Sequence, residues 1–285
     1  PSPTPWAPIA IGGTIVHQLT GAVPANIKPT LNRAAGDADN ILNKKCSRDH
    51  YGETVPVCYY GTKGGTRIVL LGDSHALHWM PALDAIGKAY NYEIIPIAKV
   101  NCAFMDVKLY AARLGKSYTS CTKWRANVVT KIAQLNPALV ILSHTWYREE
   151  GKPDEIRPQY YADAVGRMLD KIPFPTLIFS DTPFGQNNIP TCLARNRSNV
   201  AKCVVTRSAA YGNRGHARDL LVAEQRNLPI FDFTAALCPG TKCAPIIDGR
   251  VVFHDHHHLT TTMAKYLATP LGAALSQVIA NLPPR

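Results

Sequence analysis

The sequence predicts an α/β fold in which a parallel sheet carries helices on both faces. Unbroken runs of branched apolar residues, typical of strands buried on both sides, recur along the chain. Stretches with apolar residues at helical spacing separate these runs. The two patterns alternate five times after residue 65, and strands that are joined by helices in this way run parallel, with helices on the two faces of their sheet.

The predicted elements follow one another in a regular order. Strands are expected at Ile68 to Leu71, Tyr92 to Ala98, Ala138 to Leu142, Thr176 to Ser180 and Pro229 to Phe233. Helices are expected up to about Tyr90, at about Tyr118 to Leu135, Pro158 to Leu169 and Arg207 to Asn227, and in a last segment that ends near Ile279. The stretch from Thr182 to Thr206 is too long for an ordinary connection and predicts a lid or a binding loop.

Residues 1–65 differ in composition from the rest. They hold a proline-rich start, a helix predicted at about Asn26 to Asn43, and a loop between Cys46 and Cys58. We interpret them as a linker and an N-terminal extension packed on a main domain of residues 66–285. No apolar run approaches the roughly 18 residues of a membrane span. Because the chain starts at a proline, we expect a processed chain or a fragment of a larger protein.

The chain carries a formal net charge of +11. Such a charge invites a nucleic-acid interpretation, because polycations bind polyanions through counterion release. Lysine and arginine are scattered singly or in short clusters such as Lys44-Lys45, without a nucleic-acid motif or a pattern of aromatic platforms. A basic domain that faces anionic lipid headgroups or an acidic envelope polymer fits equally well. No nucleic-acid partner is therefore expected.

The eight cysteines fall into local pairs. These are Cys46/Cys58, Cys102/Cys121, Cys192/Cys203 and Cys238/Cys243. No Cys-x-x-Cys occurs, so zinc ribbons and redox dithiols are not expected. An even number of cysteines in loop-like segments indicates disulfides made in an oxidising compartment. Sequential pairing closes the shortest loops, and we expect it together with an extracytoplasmic location.

The end of the first strand offers a position for a nucleophile. The apolar run stops at Gly72, which permits a sharp turn, and a helical pattern follows, so Ser74 falls at or just before a helix N-terminus. Backbone N–H groups and the helix dipole favour a developing negative charge there. The alternative is that Asp73 or Ser74 merely caps the helix, as aspartate and serine commonly do.

The segment Asp255-His256-His257-His258 offers a general base. Asp255 and His258 are three residues apart just before a helix, so their side chains can share one face. A carboxylate on one imidazole nitrogen fixes the tautomer and leaves the other nitrogen to take a proton from a serine hydroxyl. Two alternatives stay open. His254, His256 and His257 could bind zinc with Asp255, or the segment is a solvated, histidine-rich loop.

Together, Gly72-Asp73-Ser74 after the first strand and Asp255-x-x-His258-Leu259 before the last helix resemble the SGNH, or GDSL, hydrolase family. The resemblance spans roughly residues 66–280. It implies a three-layer α/β/α sandwich with a five-stranded parallel sheet. It also implies a triad of Ser74 as nucleophile, His258 as base and Asp255 as the residue that orients His258, with no cofactor and no metal.

Further features follow the pattern of one branch of this family: Gly72-Asp-Ser-His-Ala76 with Trp79 and Pro81-Ala-Leu83, the cysteines Cys102, Cys238 and Cys243, and Asp255-x-x-His258-Leu259-Thr260. They are similar to the extracytoplasmic SGNH domain of acyltransferase family 3 membrane proteins, which O-acylate envelope glycans. The segment Ile27 to Cys58 resembles the extension that precedes this domain, notably in actinobacterial members. The resemblance implies an upstream membrane domain that delivers the acyl donor, a glycan or glycolipid acceptor, and a tether to the membrane.

The sequence departs from the broader family at the groups that would hold an oxyanion. Typical members have a glycine after the second strand and Gly-x-Asn-Asp after the third. This chain has Val100-Asn-Cys102 and Ser143-His-Thr-Trp146 there. The acyltransferase-linked branch tends to carry tryptophan at the latter place, so the departure is expected. The predicted donors are the Ser74 N–H, Asn101 and a group near Trp146.

Three classes of function follow. The first is a serine-dependent O-acyltransferase that moves an acetyl or other short acyl group through an acyl-Ser74 intermediate to an envelope glycan or glycolipid. The N-terminal extension and the cysteines favour it. The second is a secreted carbohydrate or lipid esterase with the same triad, and the third is a non-enzymatic glycan-binding domain. A metal-dependent enzyme that uses the histidine cluster is less favoured than these.

Overall fold

The computed structural model describes residues 7–38, 45–145, 147, 149–150, 158–212 and 215–283. Its strands are β1 (Ile9–Ala10), β2 (His17–Gln18), β3 (Tyr60–Gly61), β4 (Thr66–Gly72), β5 (Tyr92–Ala98), β6 (Tyr110–Ala111), β7 (Lys116–Ser117), β8 (Leu139–Ser143), β9 (Thr176–Phe179), β10 (Val205–Thr206), β11 (Ile230–Asp232), β12 (Lys242–Cys243), β13 (Ile246–Ile247) and β14 (Arg250–Val251). Its α-helices are α1 (Leu31–Ala34), α2 (Ser74–Leu77), α3 (Met80–Tyr90), α4 (Thr119–Leu135), α5 (Pro158–Leu169), α6 (Ile189–Arg195), α7 (Arg207–Tyr211), α8 (Gly215–Arg226), α9 (Thr234–Leu237), α10 (Thr261–Tyr266) and α11 (Ala268–Ala280). Short 3₁₀ helices span Ala112–Leu114 and Val200–Cys203.

A seven-stranded sheet in the order β1-β11-β9-β8-β4-β5-β3 forms the centre of the fold. Neighbouring strands pair in parallel, except that β3 runs antiparallel to β5 at one edge. The strands predicted from apolar runs are β4, β5, β8, β9 and β11. The predicted five-stranded parallel sheet is therefore confirmed as the middle of a wider sheet. The added edge strands β1 and β3 have 2 residues each, too few for a periodic pattern to indicate them.

The strands divide their side chains between two buried layers. In β4, Ile68 and Leu70 belong to one apolar core, which α3, α10 and α11 complete. Val69 and Leu71 belong to a second core, which α4, α5 and α8 complete. Because successive residues of a strand face opposite sides of its sheet, a single apolar run supplies both layers. The predicted three-layer α/β/α arrangement is confirmed.

The predicted first helix is α2 followed by α3 and the predicted last helix is α10 followed by α11, each with a short interruption, whereas two other predicted helices differ more. The helix predicted at about Asn26 to Asn43 is wrong over its described part, where the only helix is the short α1, and residues 39–44 lie outside the described residues. The backbone of Lys28 pairs instead with residues beside and within β14 through two hydrogen bonds of 2.9 Å. The helix predicted at Arg207 to Asn227 is split into α7 and α8. The first of them ends at Tyr211 and is capped by Gly212, whose φ of 39° disfavours residues with a side chain.

Residues 7–65 contribute to two sheets. Besides β1 and β3 in the central sheet, β2 pairs antiparallel with β13 in a three-stranded sheet that also contains β14. We propose that this segment is an N-terminal extension of the main domain, as the sequence predicted, because its strands pair with strands of that domain.

The cysteines form four disulfides, and the described residues contain no free cysteine. They are Cys46–Cys58, Cys102–Cys121, Cys192–Cys203 and Cys238–Cys243. The predicted sequential pairing is confirmed. Disulfides persist in oxidising compartments, which supports an extracytoplasmic location. Among the described helices, none combines the length and the apolar character that crossing a bilayer requires.

The strand β4 ends at Gly72, where the neighbouring backbone leaves no room for a side chain. A Cβ atom on Gly72 would lie 1.7 Å from the carbonyl oxygen of Ser143 in β8 and 3.0 Å from the Cβ of Ala76. The glycine therefore lets the chain pass directly from the sheet into α2 while it stays packed against β8. This close approach sets the position of the residues that follow.

We expect Gly72→Ala to lower the free energy of unfolding by about 3 kcal/mol or more, because backbone must move to remove the overlap. Urea unfolding followed by circular dichroism measures the change. The matched control is Gly13→Ala, since a Cβ there has no neighbour within 4 Å. This control should change the stability by less than about 0.5 kcal/mol. Equal stabilities of the two variants would contradict the packing argument.

Candidate active site

Ser74 lies at the start of α2, directly after β4, and its side chain is partly exposed. The cap of this helix is Asp73. Its Oδ1 accepts the His75 N–H at 2.7 Å, and its Oδ2 accepts the Thr145 N–H at 3.0 Å. Of the two residues considered as caps, Asp73 therefore fills that role. The hydroxyl of Ser74 is left for another partner.

The three side chains predicted as a triad lie in one hydrogen-bonded row. His258 Nε2 is 2.8 Å from Ser74 Oγ, and His258 Nδ1 is 2.6 Å from Asp255 Oδ2. The second carboxylate oxygen, Asp255 Oδ1, accepts the backbone N–H groups of His257 and His258, each at 2.8 Å. A carboxylate on Nδ1 fixes the imidazole tautomer in which Nε2 can accept the serine proton.

The turn that carries His258 is fixed on both sides. Before it, the His254 N–H donates to the His258 carbonyl at 2.9 Å. After it, Thr260 caps α10, and its Oγ1 accepts the Met263 N–H at 3.0 Å. The Thr260 side chain is fully buried and also donates to the Val251 carbonyl at 2.7 Å. The imidazole of His258 therefore stands on a short, well-anchored loop.

The environment of Asp255 keeps its carboxyl ionised. Burial opposes the charge, but the hydrogen bond from His258, the charge of that imidazole and the two backbone N–H groups outweigh burial. Together they hold the pKa of Asp255 well below its ordinary value. The carboxylate is therefore available to stabilise a positive charge on His258.

The profile of one protein family, described as an SGNH domain fused to AT3 domains, matches residues 45–272. The chain belongs to this family. Among solved structures, this SGNH domain is similar to the periplasmic domain of a lipopolysaccharide acetyltransferase from Salmonella serovar Paratyphi A, with a TM-score of 0.62 and 14% identity over 87% of this chain and 98% of that chain. The likeness confirms the predicted fold.

Two more distant likenesses have a TM-score of 0.44. One is to a lipase/acylhydrolase from Enterococcus faecalis, with 12% identity over 77% of this chain and 98% of that chain. The other is to a GDSL-like lipase from Bacteroides thetaiotaomicron, with 14% identity over 87% of this chain and 98% of that chain. No protein of curated function matches the sequence.

Beneath the triad of this SGNH domain lies a buried polar network that sequence reasoning missed. His75 Nδ1 is 2.7 Å from Asp181 Oδ1, and Asp181 Oδ2 accepts the Thr145 hydroxyl at 2.8 Å. The Asp181 N–H donates to Asp219 Oδ2 at 2.8 Å. The sequence did contain a signal for this network, because Thr145 and Asp181 each lie two residues after the end of a buried apolar strand. The carboxyl ends of parallel strands meet at one edge of a sheet.

Burial raises the pKa of two carboxyls in and beside this network. Desolvation raises the pKa of Asp73 to about 7, against the backbone N–H groups of His75 and Thr145, which lower it. Burial, followed by the charge of Asp181, raises the pKa of Asp219 well above its ordinary value. Like charges at close range in a low-dielectric site disfavour ionisation. These carboxyls therefore bind protons at a higher pH than solvated ones do.

Tyr147 is a second feature that sequence reasoning missed. Its phenol interacts with the Asp73 carboxyl and with the Ser74 hydroxyl, and both interactions affect its pKa. Burial, followed by the charge of Asp73, raises the pKa of Tyr147 well above its ordinary value, so the phenol stays protonated. It follows β8, in the part of the chain where typical family members carry their asparagine donor.

Two of the predicted oxyanion donors, the Ser74 N–H and Asn101, belong to the described residues. The Ser74 N–H begins α2, and the first N–H groups of a helix have no partner within it. Asn101 lies in the turn after β5, with an exposed side chain and a φ of 52°. Trp146 lies outside the described residues. The assignment of oxyanion donors therefore stays a proposal, to which the structure adds the Tyr147 hydroxyl.

Several residues around the triad are close enough to share a metal ion. Among the residues that the structure describes, one ligand atom from each member lies within 4.8 Å of the others in three sets: His75, His257 and His258; His254, Asp255 and His258; and Asp255, His256 and His257. The alternative drawn from the sequence involved His254 to His257. The fold adds His75, which is remote in the sequence, to the possible ligands.

The low pKa of Asp255 predicts a pH dependence of stability. An acid whose pKa is lower in the folded state stabilises the fold above its unfolded pKa, near 3.8, and loses that contribution as the pH falls towards the folded value. The difference in unfolding free energy between the wild type and Asp255→Asn should be constant above about pH 5. It should shrink below about pH 4, by at most about 1.4 kcal/mol per pH unit.

Urea unfolding at about pH 6 and about pH 3 measures this difference. Glu224→Gln is the control, because it removes an exposed carboxylate of α8, and its difference from the wild type should change little between the two conditions. The difference in unfolding free energy between the wild type and Asp255→Asn could instead be as large at about pH 3 as at about pH 6. That result would show that the carboxylate is not held in its ionised form.

Proposed function

We propose that this SGNH domain is a serine-dependent O-acyltransferase, which moves an acetyl or other short acyl group through an ester on Ser74 to a hydroxyl of a cell-envelope glycan or glycolipid. The observation that carries the proposal is the hydrogen-bonded row of Ser74, His258 and Asp255. Membership of a family that is fused to AT3 domains supports transfer. The likeness to the periplasmic domain of a lipopolysaccharide acetyltransferase is in keeping with it.

In the first proposed step, Ser74 Oγ attacks the carbonyl carbon of the acyl donor while its proton passes to His258 Nε2. The negative charge of the tetrahedral intermediate resides on the former carbonyl oxygen. As the intermediate collapses, His258 returns the proton to the leaving group, and an acyl ester remains on Ser74. The ionised Asp255 stabilises the imidazolium in the interval.

In the second proposed step, the acceptor hydroxyl gives its proton to His258 Nε2 and attacks the ester on Ser74. The tetrahedral intermediate collapses again, the proton returns to Ser74 Oγ, and the acyl group leaves on the acceptor. Water in place of the acceptor hydroxyl would make the same site an esterase. The balance between the two outcomes depends on how well the acceptor excludes water.

The oxyanion needs donors aimed at the place where its charge develops. We assign the Ser74 N–H, Asn101 and the Tyr147 hydroxyl to this task, together with a group near Trp146. Tyr147 is supported by its contact with the Ser74 hydroxyl and by the raised pKa that keeps it a donor. It would take the part that an asparagine plays in typical members of the family.

Membership of the family supports a proposal for where the reaction takes place. We propose that an AT3 membrane domain upstream of this domain supplies the acyl donor, and that the full-length protein is tethered to the membrane on the extracytoplasmic side. The four disulfides support that compartment. The net charge of +11 would favour an anionic envelope surface as the neighbour of the domain.

Ser74→Ala should lower the rate of acyl transfer by at least about 10³-fold, because no other group is proposed to carry the acyl ester. Intact-mass spectrometry after incubation with short-chain acyl esters should show one acyl adduct on the wild type and none on the variant. Ser276→Ala, which changes a serine in α11, should acylate like the wild type. Adduct formation that survives Ser74→Ala would refute the proposal.

Formation and decay of the acyl adduct on Ser74 distinguish the candidate functions. For a transferase, envelope glycans should discharge the adduct faster than buffer alone does, and acylated glycan should accumulate. For an esterase, the adduct should decay at one rate with and without glycan. A glycan-binding domain without catalysis should form no adduct and should not react with an active-site phosphonate.

Tyr147→Phe should slow the acylation of Ser74 by about 10-fold to 10²-fold, because the variant loses a donor near the developing oxyanion. Stopped-flow measurement of the first turnover with a chromogenic ester reports this step directly. Tyr110→Phe, which alters a tyrosine that is 42% exposed, is the matched control. A Tyr147→Phe rate within about twofold of the control would remove the hydroxyl from the oxyanion assignment.

A further inference from the structure

Two histidines outside the triad present their ring nitrogens to the volume next to His258. His75 Nε2 and His257 Nδ1 are only 2.6 Å apart. One nitrogen of each of His75, His257 and His258 lies within 4.8 Å of the others. The rings are also in contact: His75 and His257 stack with centroids 4.9 Å apart, and the tilted rings of His257 and His258 have centroids 3.9 Å apart. Three imidazoles therefore converge on one point.

Two of these imidazoles carry a carboxylate on their far side. Asp181 Oδ1 lies 2.7 Å from His75 Nδ1, and Asp255 Oδ2 lies 2.6 Å from His258 Nδ1. A carboxylate beside Nδ1 favours the tautomer whose lone pair lies on Nε2. This is the arrangement that metal-binding histidines commonly have in proteins. The Nε2 atoms of His75 and His258 are thereby prepared as ligands without any change of tautomer.

We propose that His75, His257 and His258 form a site for a borderline-soft divalent cation such as Zn²⁺, and that the bound cation blocks acyl transfer by occupying His258 Nε2. The blocking half of this inference rests on the proposed function, whereas the binding half does not. An all-imidazole ligand set favours Zn²⁺, Cu²⁺ or Ni²⁺ over Mg²⁺ and Ca²⁺, which prefer oxygen ligands.

The distances suit a tetrahedral ion after a small adjustment. Zinc–nitrogen bonds of about 2.0–2.1 Å separate the ligand nitrogens by about 3.3 Å. Nitrogens that now lie within 4.8 Å of one another need to move by about 1 Å. Water can supply the fourth ligand, because His257 and His258 are partly exposed while His75 is buried.

Binding of the cation needs a change of tautomer in His257 but releases no proton to solvent. In the ion-free tautomer that this inference assumes, the proton of His75 lies on Nδ1, 2.7 Å from Asp181 Oδ1, and His257 Nδ1–H donates to His75 Nε2 across the 2.6 Å contact. When the cation binds, the proton of His257 moves from Nδ1 to Nε2, and both facing nitrogens become ligands. At the same time His258 Nε2 exchanges its hydrogen bond with Ser74 Oγ, at 2.8 Å, for the metal. The nucleophile then has no base.

Binding is tested on protein without a polyhistidine tag by competition between the protein and a chromophoric chelator for Zn²⁺. The wild type should bind one Zn²⁺ at neutral pH with a Kd on the order of 1 µM or tighter. His257→Phe keeps the ring that stacks on Phe184, whose centroid is 4.7 Å away, but removes the nitrogens. This variant should bind Zn²⁺ at least about 10-fold more weakly.

Two further variants complete the binding test. His256→Asn removes the exposed neighbour of His257 and should leave the Kd for Zn²⁺ unchanged. Ser74→Ala removes the hydroxyl that competes for His258 Nε2 and should bind Zn²⁺ at least as tightly as the wild type. Absence of Zn²⁺ binding by the wild type would overturn the proposal. So would a loss of affinity in His256→Asn that equals the loss in His257→Phe.

The blocking effect is read from the rate at which a phosphonate labels Ser74 with and without Zn²⁺. Saturating Zn²⁺ should slow labelling of the wild type by at least about 10-fold, and a chelator should restore it. The ratio of the two rates should be close to one for His257→Phe, whatever its rate without Zn²⁺. Bound Zn²⁺ that leaves labelling of the wild type unchanged would overturn the blocking half. If the proposed function itself fails, labelling is absent in both conditions while Zn²⁺ still binds.

Discussion

The parallel pairing of β4 with β5 and β8 is the constraint on which the rest of the site depends. It sets Gly72 opposite Ala98 and Ser143 at the carboxyl edge of the sheet. Asp73, the next residue, can then bind the N–H group of Thr145 across the edge while it caps α2. A shift of the pairing by one residue would turn every side chain of β4 to the wrong layer. The register that builds the two cores therefore also positions Ser74.

Two carboxylate–histidine pairs lie side by side at this edge and differ in exposure and in the residues they contact. Asp255 and His258 face solvent and reach Ser74, whereas Asp181 and His75 are buried and reach His257. The buried pair lies next to the exposed pair and contacts it through His257, whose ring touches both His75 and His258. The closeness of these rings places one nitrogen each of His75, His257 and His258 within 4.8 Å of the others, within reach of one cation.

Two strands before residue 65, β1 and β3, pair with the outer strands of the parallel sheet. A strand at the edge of a sheet leaves a row of backbone N–H and C=O groups unpaired, and such rows invite association with other chains. Here β1 covers β11 at one edge and β3 covers β5 at the other. Both covering strands have only 2 residues, and short edge strands are poor templates for further pairing. The N-terminal segment thus completes the sheet that carries the site.

The sequence by itself determined the five central strands, the sequential disulfides and the positions of Ser74, Asp255 and His258, because apolar runs, cysteine spacing and short motifs are local signals. It misjudged the segment before α1, where pairing with β14 overrides helix propensity. Only the tertiary structure decided that Asp73 and not Ser74 caps α2, that Tyr147 interacts with Ser74, and that His75 meets His257. Those contacts join residues whose side chains carry no periodic signal. They exist because parallel strands deliver distant segments to a single edge of the sheet.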